Sequence, residues 1–300
     1  SQSMKTSNYR SSLRGLRTFC VAAEHLSFRL AAEQLFVTAS AVSHQVKNLE
    51  EELGAKLFEK SGRSLRLTRT GQSLFDDVSP LINDLDVATS RHRNAKDRSE
   101  LRISVQPFLA SELFVPRLNN FRQKHPEIYI KVDTSDESLE KHPANSDVSI
   151  RVFKSAPENL SSDRLFALRL IPAASAEFRD KLKIEDRKIT GDFPIIVHDG
   201  RPQAWADWQK KTGIRIPGNS VSVRLDSMIA VARAAERGLG AALVPSQLSD
   251  KWFETGSLVQ LFPAELVTDD AYYFVCRHSD KKTDTVKIFR QWVQSTFAGI

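Results

Sequence analysis

The sequence predicts a multidomain α+β chain. A small, mostly helical N-terminal module closed by a β-hairpin comes first, then a long connecting helix, then an α/β C-terminal part of two subdomains. Three observations predict this. Between Leu13 and Gly54, apolar residues recur at helical spacing in three successive stretches, and a short alternating pattern follows. From Gln72 to Arg93 an apolar stripe repeats at steps of four and three. From Leu101 onward, short strand-like runs alternate with helical patterns, the signature of α/β layering. The 300 residues suffice for two or three domains.

The first helix is expected over Leu13 to His25, burying Leu16, Phe19, Cys20 and Ala23. A second starts after Ser27, whose hydroxyl can cap free N–H groups, with Ala31, Ala32 and Leu35 inward. The stretch VTASAVSHQVKNLEEELG, Val37 to Gly54, reads as a third helix. Its stripe Val42, Val46, Leu49 and Leu53 is apolar; its other face carries Ser40, Ser43, His44 and Lys47. Two short helices, a tight turn and a polar-faced second helix make a helix-turn-helix. In that motif the second helix enters the major groove, where short polar side chains reach base edges and basic ones reach phosphates. Thr38 suits both a cap and a contact. Glu50, Glu51 and Glu52 would repel phosphate, and are expected to face solvent or a basic neighbour. After Gly54, alternation around Ser61-Gly62 predicts a hairpin wing carrying Lys60, Arg63, Arg66 and Arg69.

Charge agrees without deciding. Residues 1–70 hold eleven Lys/Arg against six Asp/Glu, so only +1 of the net +6 is left for the other 230 residues. A basic first quarter fits a polyanion partner and equally a solvated basic surface.

In the connecting segment Leu74, Val78, Leu81, Leu85 and Ala88 have coiled-coil spacing, with Phe75 and Ile82 widening the stripe. Such a helix pairs with its own copy or packs on its own domain. Pro80 lies inside it and predicts a kink or break near Ser79-Pro80. The polar residues 94–100 read as a hinge. Beyond it, strands are expected at LRISV, IYIKV, DVSIRV, Leu165 to Pro172, FPIIVH, SVSVRL, Ala241 to Val244 and AYYFVCR. Helices lie between most of them, giving a mostly parallel arrangement.

Other classes find little support. No run approaches eighteen apolar residues and the N-terminus lacks a signal-peptide core, so a cytoplasmic location and no membrane partner are expected. Cys20 and Cys276 sit in apolar patterns and read as buried thiols. There is no phosphate-cradling loop and no H-E-x-x-H or C-x-x-C spacing, so no cofactor, metal site or catalytic residue is assigned. His198-Asp199 could suggest acid–base work, but neighbours in an extended strand point opposite ways.

The N-terminal residues carry a resemblance. The run F-x-x-A-A-E-x-x-S-F-x-x-A-A-x-x-L-x-V-T-x-S-A-V-S-H-Q-V-K-x-L-E-x-x-L-G-x-x-L-F, closed by L-T-x-x-G, resembles the LysR-type transcriptional regulators, in the branch of the glycine-cleavage activator and the β-lactamase regulator. It implies winged-helix binding to double-stranded operator DNA as a homodimer, assembly as a homotetramer, and RNA polymerase as a further partner. By that resemblance Thr38, Ser40, Ser43, His44 and Lys47 contact bases or phosphates, and Arg63 and Arg66 are wing contacts. Ala39 stands where many members carry a longer polar residue, and Lys60 where most carry Arg. The linker helix, residues 71–93, would pair two chains.

Residues 101–300 resemble the family's effector domain, related in fold to periplasmic binding proteins, through SVQPFLASELFVPRLNNFRQKHP, DVSIR, RAAERGLGAALVP and AYYFV. The implied organisation is a DNA-binding domain over 10–70, the linker over 71–93, the hinge over 94–100 and the effector domain. Its subdomain I covers about 101–168 and 268–300, and subdomain II about 169–267. The family binds a small-molecule effector, often an anion, in the intervening cleft, where strand C-terminal ends and helix N-termini converge. Gln106, Pro107, Phe108, Thr134, His198, Asp199, Asp226, Ser227 and Tyr273 are the candidates to line it. Arg151 is expected to support the fold instead. Phe108 stands where many members have Ser or Thr; a phenyl cannot hold a carboxylate, which implies a less polar ligand, an unusual ligand geometry, or a small and empty cleft. The resemblance thus points to a ligand-responsive, sequence-specific DNA-binding regulator. A small-molecule binding protein of periplasmic type, without DNA-linked regulation, is the alternative.

Overall fold

A computed structural model of the chain describes residues 11–93, 99–136, 138–218 and 221–300. Two units emerge, Ser1–Ala95 and Lys96–Ile300. In the first, α1 (Leu13–His25), α2 (Phe28–Leu35) and α3 (Ala39–Leu53) each begin at a hydroxyl cap, Ser12, Ser27 and Thr38 respectively. Each hydroxyl accepts a backbone N–H of the first turn that no helical carbonyl can reach. Gly54, at φ 66°, ends α3 in the left-handed conformation. Phe19, Ala22, Ala31, Val42, Val46, Leu49 and Leu57 form the core. Leu53, expected on the same stripe, is 43% exposed, because the chain turns away at the next residue and leaves nothing to cover it. The hairpin β1 (Phe58–Ser61) and β2 (Ser64–Leu67) pairs antiparallel, and Phe58 sets its ring edge-on against Phe19 and Phe28.

The connecting helix α4 (Arg69–Arg93) runs through Pro80 as one helix, so of the expected kink or break no break occurs. Its apolar stripe divides. Leu74, Phe75, Val78 and Ile82 pack on the core of their own unit, whereas Leu81 is 65% and Leu85 40% exposed. Self-packing and an outward-facing edge therefore coexist on one helix. The hinge expected over 94–100 falls mostly on residues 94–98, which lie outside the described residues. Glu100 already belongs to a strand.

In the second unit the helical and extended patterns appear where hydropathy placed most of them. β3 (Glu100–Val105) leads through α5 (Pro107–Leu109) and a π-helical turn, Ala110–Phe114, into α6 (Val115–Lys124) and β4 (Tyr129–Asp133). β5 (Val148–Phe153), β6 (Ser161–Ala174), α7 (Ala176–Asp180), a small hairpin of β7 (Lys183–Glu185) and β8 (Lys188–Thr190), and β9 (Ile195–His198) follow. Then come α8 (Ala204–Thr212), β10 (Val221–Leu225), α9 (Met228–Glu236), β11 (Ala242–Pro245), α10 (Asp250–Glu254) and β12 (Val259–Gln260). The chain closes with β13 (Leu266–Cys276), α11 (His278–Lys281) and α12 (Asp284–Thr296).

The sheet is mixed, which corrects the mostly parallel expectation. β4–β3–β5 is parallel, but β13 is antiparallel to β5 and β6, and β11 and β12 are antiparallel to β6; β9 and β10 form a separate parallel pair. β5 and β6 run parallel to each other, and β13, drawn from far along the chain, inserts antiparallel between them. β6 and β13 are the long strands and pair with each other; β6 also carries β11 and β12, and β13 carries β5. Phe114, Phe121, Phe289 and Trp292 stack edge to face to hold the helices on this sheet.

Candidate nucleic-acid interface and ligand cleft

With Val42, Val46 and Leu49 turned inward, α3 presents Thr38, Ser40, Ser43, His44 and Lys47 to solvent. The Thr38 hydroxyl accepts from Ala41 N at 3.2 Å and lies 3.0 Å from Ser40 Oγ, so it caps the helix at the exposed end. His44 Nε2 is 3.4 Å from the amide of Asn48, and Lys47 is 3.9 Å from Glu51. Asn48, absent from the sequence candidates, shares the exposed face. Its spacing four residues after His44 was the available signal. Gln45, in contrast, is taken up by the Thr18 hydroxyl at 2.5 Å.

The wing is held by three devices. Glu50, expected at solvent or a basic neighbour, is largely covered. Its carboxylate accepts Leu57 N at 2.8 Å and Phe58 N at 3.3 Å and meets the Lys56 ammonium at 3.1 Å, tying β1 to α3. Thr68 donates its hydroxyl to Lys56 O and accepts Gly71 N. Gly71 itself lies so close to β1 that a Cβ there would stand 2.1 Å from Leu57 O. The L-T-x-x-G closure is thus a cap followed by a backbone-on-backbone approach that only glycine permits. The two wing arginines differ. Arg66 Nε donates to Glu59 at 2.7 Å across the hairpin, so a phosphate would compete for it. Arg63, at the turn beside Gly62, is exposed and makes no hydrogen bond or ion pair among the described residues.

The second unit holds a cleft of about 780 Å³. Its lining gathers at the C-terminal ends of parallel strands. Gln106 and Phe108 follow β3, Ser135 and Asp136 follow β4, and His198 to Arg201 follow β9. Asp226 to Met228 follow β10, while Leu168 and Tyr272 come from the long strands. Of the sequence candidates Gln106, Phe108, His198, Asp199, Asp226 and Ser227 line it. Pro107, Thr134 and Tyr273 do not. Pro107 takes the first position of α5. Thr134 is exposed, and the cleft is reached by the next two residues. Tyr273 packs on Phe153 on the opposite face of the sheet; strand alternation gives the cleft to Tyr272 instead. His198 and Asp199 both reach the cleft despite their adjacency, because β9 ends at His198 and the chain turns.

Many of these polar groups are committed. Gln106 Oε1 accepts Val152 N at 3.0 Å, and Ser227 caps α9. Asp199 meets Arg224 at 3.3 Å. Arg201, a cation the sequence reading missed, is paired to Asp270. Arg151 is fully buried as expected of a supporting residue, donating to Ser104 Oγ at 3.1 Å and to Ser138 O, with Asp136 at 3.6 Å. Burial opposes charge on Asp136, but hydrogen bonds from Lys141 and Ser138 and the Arg151 charge prevail and hold its carboxyl far below the usual range. Burial lowers the His198 pKa, and Arg201 adds to that; Asp199 and Asp226 pull the other way. His198 Nδ1 accepts Gly200 N at 2.9 Å, which requires that nitrogen unprotonated. Phe108 packs against Trp252, over which the Arg233 guanidinium lies at 4.6 Å. The phenyl leaves the cleft roomy, so the small-cleft alternative falls.

Known proteins share both units. Residues 13–72 match the family described as bacterial regulatory helix-turn-helix protein, lysR family, and residues 94–298 match the LysR substrate binding domain. The glycine cleavage system transcriptional activator of Escherichia coli strain K12 is 33% identical over 295 residues, covering 94% of this chain and 92% of that one. The HTH-type transcriptional activator AmpR of Citrobacter freundii is 27% identical, covering 94% and 96%. In structure, full-length AphB of Vibrio cholerae, a virulence activator, matches at TM-score 0.54 with 20% identity over 95% of this chain and 99% of that one. The AmpR effector binding domain from Citrobacter freundii matches at TM-score 0.60 with 20% identity, covering 67% and 99%. An N-terminal helix-turn-helix, a C-terminal substrate-binding unit and a one-third-identical relative over nearly the whole length place this chain in the LysR family of transcriptional regulators.

Proposed function

We propose that this chain reads an operator through Thr38, Ser40, Ser43, His44 and Lys47 in the major groove, with Lys47, Arg63 and Arg66 on phosphates. An effector in the 780 Å³ cleft shifts its regulatory state. The observation that carries this is the exposed polar face of α3 beside an uncommitted Arg63. The exposed edge of α4, Leu81 and Leu85, supports pairing of two chains, with the homotetramer and RNA polymerase contact as further steps of the same reading. Its relatives are named transcriptional activators, so activation is the proposed outcome. The proposed organisation keeps the boundaries 10–70, 71–93, 94–100 and 101–300, the last parted near 168 and 268. No catalytic step is included, and the proposed site of action is the cytoplasm. Among the described residues no helix is long and apolar enough to cross a membrane. A periplasmic-type binding protein without DNA-linked regulation would leave the α3 face without purpose.

The test selects bound duplexes from a genomic library, then measures their affinity by fluorescence anisotropy across a salt series. Ser43→Ala and His44→Ala should each lose about 1–3 kcal/mol of discrimination between selected and scrambled duplexes. Arg63→Ala should weaken both alike and lower the salt slope by about one. An unchanged preference in His44→Ala would remove the base-reading role.

A further inference from the structure

We infer that Phe36 is a DNA-contacting residue whose phenyl ring meets thymine C5-methyl groups at the N-terminal end of α3. The inference rests on the proposed DNA-reading role of that helix and adds an apolar contact to a set otherwise polar.

Phe36 closes α2 and is 95% exposed, more than any other large apolar side chain described. Singly exposed apolar residues are ordinary, and exposure alone would carry nothing. Its backbone and its position set this one apart. At φ 56° it occupies the left-handed region, which glycine or asparagine enters at less cost than an aromatic residue. The turn is held without its side chain, because Phe36 N and Val37 N donate to carbonyls of α2. Folding of the unit therefore takes nothing from the ring, whereas Val37 beside it packs on the core.

The ring also stands two residues before Thr38, the cap of α3, so the two Cα atoms lie within about 7 Å. In a helix-turn-helix the N-terminal end of the second helix meets base edges. Ser40, Ser43 and His44 there can exchange hydrogen bonds, but thymine is set apart in the major groove by its methyl group, which apolar side chains such as Phe read by contact. The other exposed apolar residue at that end, Ala39, offers only a methyl of its own.

The experiment uses the full-length protein and a duplex selected by it from a random library, prepared with thymine and with uracil throughout. Wild type should bind the uracil duplex more weakly, by about fourfold for each contacted methyl. Phe36→Ala should bind the thymine duplex correspondingly more weakly and lose nothing further with uracil, while its thermal unfolding midpoint is unchanged or raised. Phe36→Asn, suited to the left-handed backbone, serves as the second variant should alanine disturb the turn. Equal affinity of wild type and both variants for the thymine duplex overturns the inference, as does an equal uracil penalty in all three. A change of oligomeric mass in the variants without DNA also overturns it, since the ring then covers a protein copy. Failure of wild type to bind any duplex instead removes the DNA reading on which it stands.

Discussion

The recognition helix and the cleft use polar side chains in opposite ways. On α3 and its wing the exposed groups are largely uncommitted: Ser43 and Arg63 have no partner among the described residues, and Lys47 meets Glu51 only at 3.9 Å. Around the cleft, Gln106, Asp136, Arg151, Asp199, Arg201 and Ser227 all serve internal bonds. A surface that meets a large, fixed, charged partner can leave its donors to water until binding. A cleft at the junction of many elements must first hold itself open, so buried polar groups there are satisfied internally. The difference teaches that the number of polar residues at a site says little about how many are left for a ligand.

Two arginines put that contrast to its hardest test. Arg151→Met would strand the Ser104 hydroxyl and the Ser138 carbonyl and remove a charge facing Asp136. The expected cost is about 3–5 kcal/mol in urea unfolding of the second unit. Arg63→Ala should move neither unfolding transition by more than about 0.5 kcal/mol. If the two variants unfolded alike, the contrast between committed and uncommitted cations would break. A smaller loss is expected from Gly71→Ala, whose new methyl would have to push β1 away from α4. Overpacking of this kind costs about 1–3 kcal/mol, confined here to the transition of the first unit. An unshifted first transition would show that the wing can move freely on its helix.

What the sequence made legible follows the same division. Helix-turn-helix and wing were readable because each is a local pattern: a cap, a 3.6-residue stripe, a glycine turn, as in Ser27, Val42-Val46-Leu49 and Gly62. Sheet direction was not, since it depends on β13 inserting antiparallel between β5 and β6, a pairing of segments far apart in the chain. Cleft residues were readable to within a position or two, the error made at Tyr273 for Tyr272 and at Thr134 for Ser135 and Asp136. A strand's end can be located from hydropathy, but which of two neighbours faces a given side depends on register, and register is set by partners distant in sequence. Arg201 escaped notice because nothing local announces a cation whose partner, Asp270, is 69 positions away. The split of the α4 stripe was hidden for a related reason, since heptad spacing does not say which of its residues their own domain already covers.

The smallest expected effect sharpens the cleft side of the comparison. His198 is committed through an unprotonated Nδ1 that accepts Gly200 N, and burial pushes its pKa down, with Arg201 assisting. The unfolded chain takes up this proton near the ordinary histidine value of about 6.5, while the folded chain resists until a lower pH. Between the two values the unfolded state binds more protons, so His198 lowers stability as pH falls through that window and costs nothing above it. The unfolding midpoint of the second unit should therefore fall between about pH 7.5 and 5.5 more steeply in wild type than in His198→Gln, whose amide oxygen can accept the same N–H without titrating. Equal slopes would mean that the imidazole is free to charge in place, and His198 would then count among the uncommitted groups, available to a ligand as the α3 face is to DNA.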